Sequence, residues 1–235
     1  MAENEQYNYQ NTRSANTPWN VLDVIYTYGI VIAVTLLAVG VLLFSNIDST
    51  SVLLPVLLQV IISLSVLVAI YLIVNRKYHV SVTQAMGIST EKFTEHFVTG
   101  LFVSLLLVLS TTIVSIMFSY FGEIPKDGPY TNLPVEKLRI ISILAVFLAP
   151  AVEEIFFRGF MQPALIKALG LTGGVLSTAI IFGLSHAQYH NYSIALVAVT
   201  IIGLILGITR EKTQSVVPGI IAHLMNNLYA ALSLF

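Results

Sequence analysis

A chain of 235 residues in which 56% are hydrophobic and only 10% charged cannot cover itself with a water-facing surface, since soluble domains carry about 25% charged residues. The formal net charge of −1 excludes the basic face that nucleic acid requires, and the absence of cysteine excludes disulfides and thiolate metal sites. With a mean hydropathy of +0.85, lipid is the expected solvent for most of the chain.

Residues 1–20, with Glu3, Glu5, Asn8, Gln10 and Arg13, read as a disordered polar tail. The apolar stretch 21–44 is too long, and its flank too acidic, for a cleaved signal peptide. It is expected as a retained helix, because about 20 apolar residues suffice to cross a bilayer. Further spans are expected at 52–74, 97–121, 138–157, 174–189, 191–209 and 216–235. The fold class is therefore an all-α transmembrane helical bundle of about seven spans, or eight if 159–170 also inserts, forming a single domain over 21–235. Between spans, 75–96 carries Arg76, Lys77, Glu91, Lys92 and Glu95, with Ser89 as the N-cap of a short surface helix. The segment 122–137, with Pro125, Gly128, Pro129 and Pro134, reads as an irregular loop.

Lys and Arg concentrate on the cytoplasmic side of membrane proteins. An inside N-terminus puts Arg13, Arg76, Lys77, Lys92, Arg158, Lys167, Arg210 and Lys212 there and leaves Lys126, Lys137 and Arg139 outside, which also places the C-terminus outside. The Asn191-Tyr192-Ser193 glycosylation sequon falls on that outer side.

Polar residues inside the apolar spans carry the chemistry. Glu153 and Glu154 lie deep in the stretch LAVFLAPAVEEIFFRGF. A charge at a helix centre costs about 2.5–3.5 kcal/mol on insertion scales, against about 0.3–0.6 regained per Leu, Ile, Phe or Val. Two glutamates and Arg158 must therefore face protein or a wet cavity. Glu154 and Arg158, four apart, share a helix face, while Glu153 is turned by about 100°, so Arg158 is expected to pair with Glu154 and leave Glu153 free. Pro150 just upstream is expected to kink the helix or release a carbonyl. A helix ending at Arg158 would place Glu153 only about 7 Å from the membrane edge, with His186 about 18 Å deep and His223 about 10 Å. These depths agree better if the helix runs on to near Lys167 with Arg158 buried.

The next spans hold Phe182 and His186, then His223 and Asn227 four apart. Each alone reads as interhelical glue. His190, four beyond His186, abuts a span end and is discounted as a second metal ligand; Asn226 is assigned to another face. Together, a carboxylate, two imidazoles and an amide suffice for hydrolysis: one pair takes a proton from water and orients it, the other donates to an oxyanion.

Glu153-Glu154-x-x-x-Arg158, Phe182-x-x-x-His186 and His223-x-x-x-Asn227, in that order on successive helices, resemble the three motifs of the CPBP family (CAAX proteases and bacteriocin-processing enzymes, also called Abi), which includes the type II CAAX prenyl endopeptidase. The resemblance covers roughly 140–235, with a catalytic core at about 138–235. It implies an intramembrane endopeptidase acting on a membrane-associated peptide or a protein C-terminus, and a prokaryotic plasma membrane as its location. Glu153 and His186 would activate the water, His223 and Asn227 would stabilise the oxyanion, and Glu154 and Arg158 would support them. Relatives are often labelled metalloproteases, and a metal-free glutamate mechanism is also proposed for them. If metal-dependent, Glu153, Glu154, His186 and His223 are the candidate ligands for a divalent ion such as zinc; the chain has no HExxH helix.

Two other classes use the same residues. A membrane immunity factor or scaffold would use the cluster for packing, helped by the small pair Gly203 and Gly207. A proton-coupled transporter would use a buried glutamate, but the chain lacks the internal repeat common in that class.

Overall fold

The computed structural model describes residues 14, 16–44, 53–120, 134–186 and 193–232. All regular elements among them are helices: α1 (Val21–Phe44), α2 (Leu53–Lys77, with a π-helical last turn), the short α3 (Val82–Met86), α4 (Phe93–Tyr120), α5 (Val135–Leu184), α6 (Ser193–Thr213) and α7 (Val217–Leu232). Five of these, α1, α2, α4, α5 and α6, are long and apolar enough to cross a membrane. Large apolar side chains such as Leu36, Leu37, Leu105 and Phe102 project outward from α1 and α4, as a lipid-facing surface demands. The expected sites His190 and Asn191-Tyr192 lie outside the described residues.

At 50 residues, α5 would measure about 75 Å if straight, more than twice a hydrocarbon core. It folds back instead at Gly170, whose φ of 76° and ψ of 172° suit a residue without Cβ. The limbs 135–169 and 171–184 then pack closely: a Cβ on Gly174 would lie 2.5 Å from the backbone of Ile166. The stretch 159–170 is thus the continuation of the fourth span, and Arg158 is fully buried within it, as the depth argument required.

The second limb packs on α6, α4 packs on both α6 and α7, and α1 pairs with α2. Gly203 and Gly207 bring α6 against α5, with Ala179 and Gln162 respectively within 3.2 Å of where their Cβ atoms would be. The surface helix starts at Val82 after Ser81, not after Ser89, and ends in left-handed Gly87 (φ 68°).

The helices define two ends of the bundle. One, the basic end, holds Trp19, Lys77, α3, Lys167 and Lys212; the other, the mouth, holds the first turns of α2, α5 and α6 and the last turns of α4 and α7. The described part of the stretch expected as a tail, Ser14 and residues 16–20, is packed against the basic end. Trp19 is 2% exposed, donates from Nε1 to the Phe160 carbonyl at 2.8 Å and stacks on the Phe160 ring. Lys167 holds the Thr17 carbonyl at 3.0 Å, and Ser14 donates to Glu211 at 2.8 Å.

Candidate active site

The first limb of α5 presents its two glutamates to different surroundings. Glu154 points into protein, where its Oε1 lies 3.0 Å from Arg158 Nη1 and 3.2 Å from His223 Nδ1. Arg158 also donates to the Gly203 carbonyl of α6 at 3.3 Å, and its guanidinium carbon sits 4.1 Å from the centre of the Phe182 ring. Both side chains are completely buried, so the pair, a carbonyl and an aromatic face replace part of the hydration each charge has lost, while Glu154 Oε2 and Arg158 Nε and Nη1 find no hydrogen-bond partner among the described residues. This lock joins α5 to α6 and α7.

Glu153, about 100° round the helix, keeps 28% of its side chain exposed and faces a cavity of about 620 Å³. His186, at the end of the second limb, and His223, from α7, line the same cavity, and each has its Nε2 at 3.9 Å from Glu153 Oε2. That distance is beyond a direct hydrogen bond, and Glu153 Oε2 is buried without a hydrogen-bond partner. His186 Nδ1 lies 2.7 Å from the Phe182 carbonyl; a carbonyl only accepts, so Nδ1 carries the hydrogen there and Nε2 is the nitrogen on the Glu153 side. Phe182 meets both imidazoles edge-on, with centroids 4.7 Å from His186 and 5.8 Å from His223, so one ring orders Arg158 and both histidines.

Asn227 lines the cavity one turn beyond His223 and donates from Nδ2 to the Ala145 carbonyl at 2.9 Å. The reason lies in the backbone. Residues Leu144–Leu148 are π-helical and the Ala149 N–H bonds the Leu144 carbonyl. In that register the Ala145 carbonyl should be met by residue 150, which is proline and has no N–H. Asn227 supplies the missing donor and retains a second amide hydrogen. Asn226, assigned from sequence to another face, lines the cavity too, because 223, 226 and 227 follow the i, i+3, i+4 rule of one helix face.

Residues 136–229 match the family model described as type II CAAX prenyl endopeptidase Rce1-like. A segment of the chain is thus similar to this type of CAAX protease. No curated protein and no solved structure matches the chain. The matched segment contains Glu153, His186, His223, Asn226 and Asn227 of the cavity and begins at the second residue of α5. Metal binding finds no support in the donor geometry: among the described residues no group of three or more His, Cys, Asp or Glu is placed to hold an ion. Glu154 is already taken up by Arg158 and His223.

Gly219 escaped the sequence reading. A Cβ there would stand 2.7 Å from Glu154 Oε2, so only glycine leaves room for the lock. Its position four residues before His223, on the same face, was the available signal.

Proposed function

We propose that the chain is an intramembrane endopeptidase in which Glu153 and His186 activate water and His223 and Asn227 receive the oxyanion. The supporting observation is the single carboxylate oxygen of Glu153, unpartnered and 3.9 Å from both imidazole Nε2 atoms at the inner end of the cavity. A water in that gap is within reach of all three groups. Glu153, aided by the His186 lone pair, removes its proton as the hydroxide oxygen adds to the scissile carbonyl carbon. His223 stands between the two carboxylates, Nδ1 toward Glu154 and Nε2 toward Glu153, and acts as a donor when it carries a hydrogen on both nitrogens. With Nδ1–H turned to Glu154, its Nε2–H then donates to the tetrahedral oxyanion, beside the second Asn227 amide hydrogen. As the C–N bond breaks, the proton held by Glu153 passes to the leaving amine.

A purely structural cluster accounts for the Glu154–Arg158 ion pair but not for a third charged group, Glu153, turned into the cavity between two histidines. The metal-free reaction is the version of the chemistry these donors favour. The substrate is a membrane-associated peptide or protein C-terminus. The chain crosses the bilayer seven times in this reading, α5 counting twice and the 16-residue α7 as the last crossing, with the site-bearing part at about 138–235.

Glu153→Gln keeps shape and removes the base. Mass spectrometry of membrane peptides from cells with wild type or this variant should show products lost by about 10²–10⁴-fold in rate, with turnover unaffected by a chelator. Equal products from both proteins would end the peptidase reading; chelator sensitivity would end its metal-free form.

A further inference from the structure

We infer that the site is served from the face of the membrane opposite the cytoplasm, and that its substrates are peptide segments exposed on that face rather than cytoplasmic protein C-termini. The substrate half of this inference rests on the peptidase reading; the sidedness does not.

Three observations carry it. First, the cavity has a direction. From Glu153, His186 and His223 its wall runs to Pro55, Leu138, Ala195 and Ala231, each within about one turn of the mouth end of its helix. Second, the opposite end is filled. Beyond Glu154 and Arg158 come Phe160, Met161, Met86 and Val216, none more than 1% exposed, with Trp19 beneath them. The Val216 N–H bonds the Met86 carbonyl at 3.0 Å, and Met86 presses so closely on Gly159 that no larger residue fits there. A chain segment reaching Glu153 from that side would have to displace this layer. Third, the closed end is the basic one. Among the described residues Arg76, Lys77, Lys92, Lys167, Arg210 and Lys212 belong to it, against Lys137 and Arg139 at the mouth. Arg158 leaves the count because it is buried in the lock, and Arg210, 2% exposed, can be left out on the same ground; the asymmetry survives without both. Lys and Arg near span ends mark the cytoplasmic side, so the mouth faces away from the cytoplasm.

The lining fits such a substrate. Apart from the inner end, the wall is mostly apolar, with Ala145, Ala149, Ala198, Val199, Ile202 and Ala230 among its residues, and it carries the uncharged polar groups of Gln59, Thr111, Ser142 and Tyr229 but no further charge. Small apolar side chains admit an extended backbone near the helices and bind no charged flank. Peptides that emerge from the membrane on the mouth side, with an apolar segment next to the cleaved bond, satisfy this.

The chain has no cysteine, so single cysteines report sidedness directly in full-length protein in intact cells. With a membrane-impermeant maleimide, Ala195→Cys and Ala231→Cys should label in intact cells, and Thr83→Cys at the exposed α3 only after permeabilisation. The reverse pattern overturns the inference. Peptides in the medium and in the cytosol are then compared between wild type and Glu153→Gln. Glutamate-dependent products in the medium support the substrate class, and products confined to the cytosol overturn it. Identical peptides from both proteins sink the peptidase reading alone, since the labelling pattern does not depend on turnover.

Discussion

Asn227 bonds the Ala145 carbonyl and, in the proposed reaction, also donates to the oxyanion, two jobs that mutagenesis can separate. Asn227→Ala removes the 2.9 Å bond to the Ala145 carbonyl, and nothing in the helix replaces it, because the Ala149 N–H is committed to Leu144 and Pro150 has none to give. An unpaired buried polar group costs about 1–3 kcal/mol; the lower part of that range applies here, since interhelical hydrogen bonds measured in one membrane protein average about 0.6 kcal/mol and reach about 1.7. We expect Asn227→Ala to lose about 1 kcal/mol in reversible unfolding from mixed micelles. Pro150→Ala returns an N–H at the position where the π register needs one. The double variant should therefore recover most of the loss, giving a favourable coupling of about 0.5–1 kcal/mol. Activity should behave differently, because restoring the helix does not restore an oxyanion donor: both Asn227→Ala proteins should remain about 10²–10³-fold slow. Additive stabilities in the cycle would refute the account of why Asn227 is there, and recovery of activity in the double variant would refute its place at the oxyanion.

Arg158→Met should destabilise the protein by about 3–5 kcal/mol by stranding Glu154, and adding Glu154→Leu should return much of that, measured in the same unfolding assay. Gly219→Ala, whose Cβ would meet Glu154 Oε2 at 2.7 Å, should shift His223 through its bond to Glu154 and reduce kcat more than it raises KM. Phe182→Leu preserves volume but loses the aromatic face against Arg158 and the edges against both histidines; about 0.5–2 kcal/mol of stability and a larger share of activity should go with it, read by thermal unfolding and product formation.

Much of the site was legible because membranes make polar residues expensive. Glu153, Glu154 and Arg158 stood out against their apolar neighbours, helical geometry alone paired Arg158 with Glu154, and Pro150 announced a freed carbonyl. What sequence could not say was who would take that carbonyl, because the partner lies 82 residues away on another helix. The packed end of the tail was hidden for a related reason: Trp19 and Thr17 sit in a polar stretch, and their burial comes from Phe160 and Lys167, contacts with no local periodicity. Asn226 was misassigned by weighing i+4 over i+3. The span at 138–157 was cut short because the charged and glycine-containing run at 158–162 resembles a helix end until its partners on α6 are known.

Two adjacent glutamates let one helix do opposite things at one depth. Glu154 is held by a guanidinium and an imidazole; in the proposed reaction it serves by aiming His223. Glu153 projects past that lock into the cavity, where its Oε2 faces the Nε2 atoms of two histidines at 3.9 Å and has no hydrogen-bond partner among the described residues. A base needs an unsatisfied lone pair, and an unsatisfied carboxylate inside a membrane needs rigid neighbours to prevent it from finding a partner. The buried pair supplies that rigidity, which is why the Glu-Glu-x-x-x-Arg spacing works as a unit: turning the second glutamate and the arginine into protein is what leaves the first one free for water.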